Sequence, residues 1–156
     1  MVEKKLPLRV GVGIVVLNNK NEVFVGKRKD NPVDKWQMPQ GGIDTGESPL
    51  QACMREMREE IGTNTAELIS QHDDWLYYDI PLPLADRLWQ GRYKGQKQKW
   101  MALRFTGDDS DINIATEEPE FCEWKWLSPH DLVDLAVPFK RDVYQNVLAA
   151  FAPYLK

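Results

Sequence analysis

Residues 48–61, SPLQACMREMREEI, spell out a helix with both ends marked. Ser48 caps the start, Pro49 suits the first turn, Gln51 completes a capping box, and Gly62 supplies the stop. Leu50, Met54, Met57 and Ile61 recur at helical spacing, a narrow apolar stripe that must be buried against another layer. Glu56, Glu59 and Glu60 stand at i, i+3 and i+4, so their carboxylates gather on a different face. That arrangement is costly. Like charges at this spacing repel by a few tenths of a kcal/mol per pair, and the last turn is the negative end of the helix dipole, unfavourable to an anion by about 0.3–1 kcal/mol. The helix alone allows two readings. One is a solvated charged face softened by Arg55 and Arg58; the other is a seat for a hard divalent cation, since carboxylate oxygens suit Mg²⁺ and Mn²⁺.

The rest of the chain supplies layers for that helix. Residues 9–17 (RVGVGIVVL) read as a buried strand and 22–27 as its returning partner after the turn at 18–21. A loop containing Pro32 leads to Trp36-Gln37-Met38-Pro39-Gln40 and the Gly41-Gly42 pair. Residues 68–79 read as one or two strands, 81–95 as a Pro-broken segment, and 97–106 and 122–127 as further strands. Ser128-Pro129 opens a short helix, and residues 140–151 form a C-terminal one. The pattern predicts an α+β domain over residues 1–156, a mixed central sheet covered on both faces as an α/β/α sandwich. Composition fits a globular protein: 156 residues, 42% hydrophobic and 28% charged. No stretch approaches the roughly 20 apolar residues of a membrane span, and 1–10 has no signal-like apolar core, so the expected compartment is the cytoplasm, with no membrane and no stable protein partner evident. Net charge −4 argues against coating nucleic acid through a broad basic face. It leaves room for a polyphosphate neutralised locally by a cation and a few Lys or Arg.

What decides between the two readings of the helix precedes it. Gly41, five residues, Glu47, seven residues, then Arg55-Glu56-Met57-Arg58-Glu59-Glu60-Ile61-Gly62-Thr63 resembles the Nudix box, GX5EX7REUXEEXGU with U aliphatic. Seven fixed residues would coincide at a given start on the order of once in 10⁸. Thr63, where the family prefers an aliphatic residue, is the one departure, and it lies past the helix end. The resemblance implies a Nudix fold and assigns roles. Gly41 and Gly42 shape the metal pocket; Arg55 holds Glu47 and orients the ligands; Glu56, Glu59 and Glu60 take the metal-ligand and base positions. Mg²⁺, or Mn²⁺ in its place, would bridge phosphate oxygens and activate water for in-line attack.

The likeness continues through WQMPQGGID at 36–44, GQKQKW at 95–100, PEF at 119–121 and PFKRDVY at 138–144. These resemble the branch that holds bacterial RNA pyrophosphohydrolases and asymmetrically cleaving diadenosine tetraphosphate hydrolases. The implied substrate is a nucleoside 5′-polyphosphate, either a triphosphorylated RNA 5′ end or diadenosine tetraphosphate. Glu120 in PEF matches a further metal-ligand position, although neighbouring Glu117 and Glu118 also fit a plain acidic loop. Lys97 and Lys99 alternate with Met101 and Leu103 on one strand face, which fits phosphate contact or edge-strand protection. Tyr78 falls where relatives contact the polyphosphate, or is a strand aromatic half in the core. Phe139-Lys140-Arg141 pairs a ring with two cations, suited to a base and a phosphate or to a hydrophobic staple. Arg28 and Val137 complete the base pocket by resemblance, and Arg9 persists although relatives often have Tyr-Arg-Pro at 8–10.

Other features carry ordinary readings. Cys53 and Cys122 read as buried or half-buried thiols, His72 and His130 as surface residues, and 107–111 as a turn rather than a calcium loop. Trp75, Trp89, Trp124 and Trp126 read as packing, with Trp124 and Trp126 on one strand face. The rival to an enzyme is a Nudix-fold binding module that recognises a nucleotide or RNA end without cutting it. Such a module would be expected to lose box carboxylates, and this chain keeps them all.

Overall fold

A computed structural model describes residues 7–29, 35–81 and 91–155. The Pro32 loop, Trp89 and most of the Pro-broken segment lie outside the described residues. Strand β1 (Leu8–Leu17) organises the sheet. It runs parallel to β6 (Gly95–Phe105) along its whole length and antiparallel to β3 (Gln40–Gly42) at Gly11–Gly13 and to β2 (Val23–Arg28) at its far end. Strand β7 (Phe121–Leu127) pairs with β2, while β4 (Ala66–Gln71) and β5 (Leu76–Asp79) share the other side of β6. One parallel pair among antiparallel ones makes the sheet mixed.

Side chains alternate along a strand, so β1 feeds two cores. Val12, Ile14 and Val16 join Met101 and Leu103 on the face covered by α1 (Pro49–Ile61), which supplies Ala52, Cys53, Met57 and Ile61. Val15 and Leu17 join Trp100 and Ala102 on the opposite face. That face is covered by the short helix α2 (Leu132–Leu135) and by α3 (Arg141–Ala150) with Val143, Tyr144 and Val147. The result is the α/β/α arrangement expected of the pattern. Helix α1 carries the capping box of Ser48 and Gln51, and Gly62 closes it in the left-handed conformation, φ +86°, donating its N–H to the Arg58 carbonyl.

Several local expectations shift. Residues 68–79 resolve into two strands, and Gln40–Gly42 forms a short strand where a loop was expected. Ala52 and Cys53 are buried in α1, whereas Leu50 and Met54 are only half-buried, so the apolar stripe is wider than the sequence reading had it. Cys122 is exposed, because it alternates with the inward-facing Phe121. His72 is half-buried with its ring against Phe151. Trp75 is exposed, whereas Trp124 and Trp126 do share a face, both packed on Phe24. No described helix is long and apolar enough to cross a membrane.

A buried contact ties the second core to β3. The Tyr144 hydroxyl accepts the Met38 backbone N–H at 2.9 Å, fixing the segment that delivers Gln40–Gly42 to β1. Tyr144→Phe strands that N–H away from water and should cost about 1–3 kcal/mol of stability in urea unfolding. No measurable cost would show that this contact does not hold the segment.

Candidate active site

The last turns of α1 run beside β3 and the 116–120 loop, and an open cleft of about 790 Å³ lies between them. Six glutamates line it: Glu56, Glu59, Glu60, Glu117, Glu118 and Glu120. Glu117 and Glu118, read from sequence only as neighbours that weaken the case for Glu120, belong to the same wall. Arg55 organises one side. It grips both oxygens of Glu47, Nε to Oε2 at 2.7 Å and Nη2 to Oε1 at 3.0 Å. Nη2 also donates to the Gly42 carbonyl, and Nη1 to Glu56 and Glu59 at 2.8 and 3.2 Å. The hydrogen bond from Arg55, reinforced by the Asp44 backbone N–H, holds the Glu47 carboxyl below its ordinary value.

Glu56 lies against bare backbone. A Cβ on Gly41 would sit 1.9 Å from its carboxyl carbon, so any side chain at 41 would displace it. Burial raises the Glu56 pKa despite Arg55 beside it. Glu60 is 8% exposed, and one oxygen, Oε2, has no hydrogen-bond partner. Burial first, then the charges of Glu56 and Glu120, push its pKa well up, although the Gln40 backbone pulls the other way. An anion in that position calls for a cation beside it.

Cations gather on the side facing α3. Arg28 pairs with Glu120 at 3.6 Å. Lys140 is 3% exposed, donates to Gln37 Oε1 at 3.2 Å and stands 5.7 Å from the Tyr78 ring centre. Burial and the Arg28 charge pull its ammonium down to about 7, against the attraction of Glu60 and Glu120. The Tyr78 hydroxyl accepts Gln40 Nε2 at 3.0 Å, and burial moves it up to about 12. Phe139 packs on Tyr78, ring centres 5.9 Å apart, and against the α3-side core. Val137 precedes the turn of Pro138–Lys140. The Arg9 guanidinium lies on the backbone of Gly42, where a Cβ would come within 2.6 Å of Nη2.

The fold therefore brings together Glu47, Arg55, Glu56, Glu59, Glu60, Glu120, Gly41, Arg9, Arg28, Tyr78, Phe139 and Lys140. Lys97 and Lys99 stand apart. Strand parity puts them on the α1 face of β6, with both ammonium groups 5.2 Å from the Trp75 ring centre and Lys99 donating to the Asp73 carbonyl. Edge protection does not describe them, because β6 is an inner strand. Sequence reasoning missed Gln37 and Gln40, which hold Lys140 and Tyr78.

The donor set suits a hard cation. It is all oxygen, it includes the partnerless Glu60 Oε2, and bare Gly41 keeps side chains out of the way. Among the described residues no three acidic groups already converge on one point, and Arg55 Nη1 carries the neutralising charge between Glu56 and Glu59. Glu59 and Glu120, at 58% and 41% side-chain exposure, can rotate at little cost.

Lys140 gives a signed pH dependence. Between pH 7 and 10.5 the unfolded chain holds a proton on this lysine that the folded chain has released. Its contribution therefore makes the protein more stable as pH rises through that window, and below it the burial cost is fully present. Urea unfolding across the window should show wild type gaining steadily on Lys140→Met; parallel curves would mean the ammonium is not buried.

Comparison with known proteins agrees with this geometry. A NUDIX domain model matches residues 7–147. An RNA pyrophosphohydrolase from Roseobacter denitrificans is 56% identical over 153 residues, covering 97% of this chain and 96% of the relative. One from Rhodospirillum rubrum is 55% identical over 149 residues, covering 96% and 90%. Among solved structures, the dihydroneopterin triphosphate pyrophosphohydrolase of E. coli superposes with TM-score 0.69 at 22% identity, over 94% of this chain and 99% of that one. The Ap4A hydrolase of C. elegans gives 0.64 at 19%, over 96% and 99%. At such identities these structures speak for the fold alone. Domain model, full-length relatives and fold agree: the chain belongs to the Nudix family.

Proposed function

We propose that this chain is a pyrophosphohydrolase that removes pyrophosphate from triphosphorylated RNA 5′ ends with the help of Mg²⁺. The observation that carries the reading is a buried carboxylate with a partnerless oxygen, Glu60, in an all-oxygen cleft faced by Arg28 and Lys140. Both signs are needed to hold a polyphosphate beside a cation. Relatives 50–56% identical over most of the chain are RNA pyrophosphohydrolases, which favours RNA ends over diadenosine tetraphosphate.

Glu56, Glu59, Glu60 and Glu120 would hold the divalent cation, with the Gly41 backbone beside them. When bound, it supplies charge neutralisation for the anhydride and acidity for the attacking water. The protein does the rest. Arg55 keeps Glu56 and Glu59 turned into the cleft. Arg9, Arg28 and Lys140 meet phosphate oxygens, and Tyr78 adds a hydroxyl fixed by Gln40. Val137 and the half-buried ring of Phe139 form a wall for the first base. Water attacks phosphorus, the anhydride bond to the leaving pyrophosphate breaks, and a cleft carboxylate takes the proton. Glu56 and Glu60 have the raised proton affinity that this transfer uses.

Activity should vanish in EDTA and return with Mg²⁺ or Mn²⁺. Glu56→Gln and Glu60→Gln should each lower kcat by about a hundredfold or more. Full turnover in chelator would end this mechanism. With Mg²⁺ and matched concentrations, kcat/KM for 5′-triphosphorylated RNA should exceed that for diadenosine tetraphosphate by about tenfold or more; the reverse order would assign the other substrate.

A further inference from the structure

On the α1 face of β6, Lys97 and Lys99 stand clear of the cleft, and the strand beside them carries aromatic rings to solvent. The register pairs Lys97 with Val10 of β1 on one side and with Tyr77 of β5 on the other, so the three share a row. The core under α1 is built on Val12, Ile14 and Val16, further along β1, and leaves this row uncovered. Val10 is 41% exposed, Tyr77 69% and Trp75 36%. Both ammonium groups lie 5.2 Å from the Trp75 ring centre, and Lys99 also donates to the Asp73 carbonyl, so ring and cations are held as one unit. Packing is what usually rewards an aromatic residue in a strand, and Tyr77 forgoes most of it. An aromatic and cationic face that the core does not use suits a ligand with flat rings and negative charge.

A single-stranded RNA has that chemistry. Its bases stack on aromatic rings whatever their sequence, and its phosphates meet lysines. The position fits as well. Tyr77 and Tyr78 are consecutive in β5, so they point to opposite faces of the sheet. Tyr78 packs on Phe139 at the wall for the first base, and β5 pairs with β6 alone among the described strands. A chain that leaves the first base therefore crosses one open strand edge and meets Tyr77. The carboxylate side of the cleft offers a polyanion no such path, because six glutamates wall it. Asp79 shares the Tyr77 side of β5 and is exposed, which sets a direction: from Tyr77 toward Trp75, away from that carboxylate.

We propose that Trp75, Tyr77, Lys97 and Lys99 form a docking face for the body of a single-stranded RNA whose 5′ end occupies the cleft. Bases stack on the two rings, and the two ammonium groups meet backbone phosphates. This deepens the RNA reading above and rests on it. The face reads no sequence, because every base offers the same flat surface. It favours a long unpaired 5′ end over a dinucleotide, which is too short to reach it, and over a duplex, which hides its base faces.

The test is fluorescence anisotropy with a labelled 5′-hydroxyl oligoadenylate of about ten nucleotides, which lacks the polyphosphate that the cleft takes. Wild type should bind it, and more weakly as salt rises. Trp75→Leu and Tyr77→Ser should each weaken binding by about tenfold. Lys97→Gln and Lys99→Gln should each reduce the slope of log K against log salt by about 0.7. Each variant should also raise KM for a triphosphorylated RNA of the same length. Its kcat, its melting temperature and its KM for a triphosphorylated dinucleotide should stay at wild type, a split that a structural role would not give. Absence of wild-type binding, or ring and lysine variants all within about twofold of wild type, would overturn the proposal. So would a wild-type dimer that Tyr77→Ser dissociates, since the face would then seat a second copy of the chain. Wild type that cleaves triphosphorylated RNA without binding the oligoadenylate would refute this face alone. Wild type that binds the oligoadenylate through these residues but leaves triphosphorylated RNA intact would refute the reading it rests on and leave the face an RNA site.

Discussion

Arg55 donates at once to Glu47, Glu56, Glu59 and the Gly42 carbonyl, and the shape of the site depends on that one planar group. Glu56 and Glu59, in the last turns of a helix, would otherwise splay toward water. A lysine could not replace it, because a point charge lacks the forked donors that grip one carboxylate with two nitrogens and still reach a second and a third. The same guanidinium ties α1 to the strand β3, so the helix and the backbone that carries Gly41 move as one unit. That unit leaves no space between Glu56 and Gly41, and side-chain size at 41 becomes a constraint on the chemistry.

The alternation of β1 and β6 distributes everything else. One face builds the core under α1 and anchors the glutamate helix; the other builds the core under α3 and sets Arg9, Gln96 and Tyr78 side by side. The anionic and cationic halves of the site thus come from opposite faces of one sheet and meet at its end. Lys140 and Arg28 stand opposite Glu60 and Glu120, close enough that each sign shifts the proton affinity of the other.

Much of this was legible in the sequence, for physical reasons. Helix α1 announced itself because capping box, apolar stripe and terminal glycine are local signals, and the glutamate cluster was visible because its cost has no structural return. The long strands were legible because both of their faces are buried. What escaped depended on contacts distant in sequence. Strand β3 is only Gln40–Gly42 and exists because it pairs with β1. Lys97 and Lys99 were chosen for their charge, and only the fold shows both ammonium groups against Trp75. Lys140 was read as a phosphate contact or part of a staple; only the folded structure shows it buried beside Gln37. Cys122 was read as a buried or half-buried thiol, and its alternation with the inward-facing Phe121 leaves it exposed.

The central claim is that Glu60 is held at a cost that a divalent cation offsets, and melting temperature tests it directly. Wild type and Glu60→Gln should be compared in EDTA and again in saturating Mg²⁺. In chelator the variant should melt higher, because it lacks a buried carboxyl whose ionised form is penalised by burial and by Glu56 and Glu120. In Mg²⁺ wild type should gain more than the variant, since a ligand stabilises by its affinity for the folded state and the variant binds it less well. A variant that melts lower in chelator and gains as much as wild type from Mg²⁺ would contradict the account.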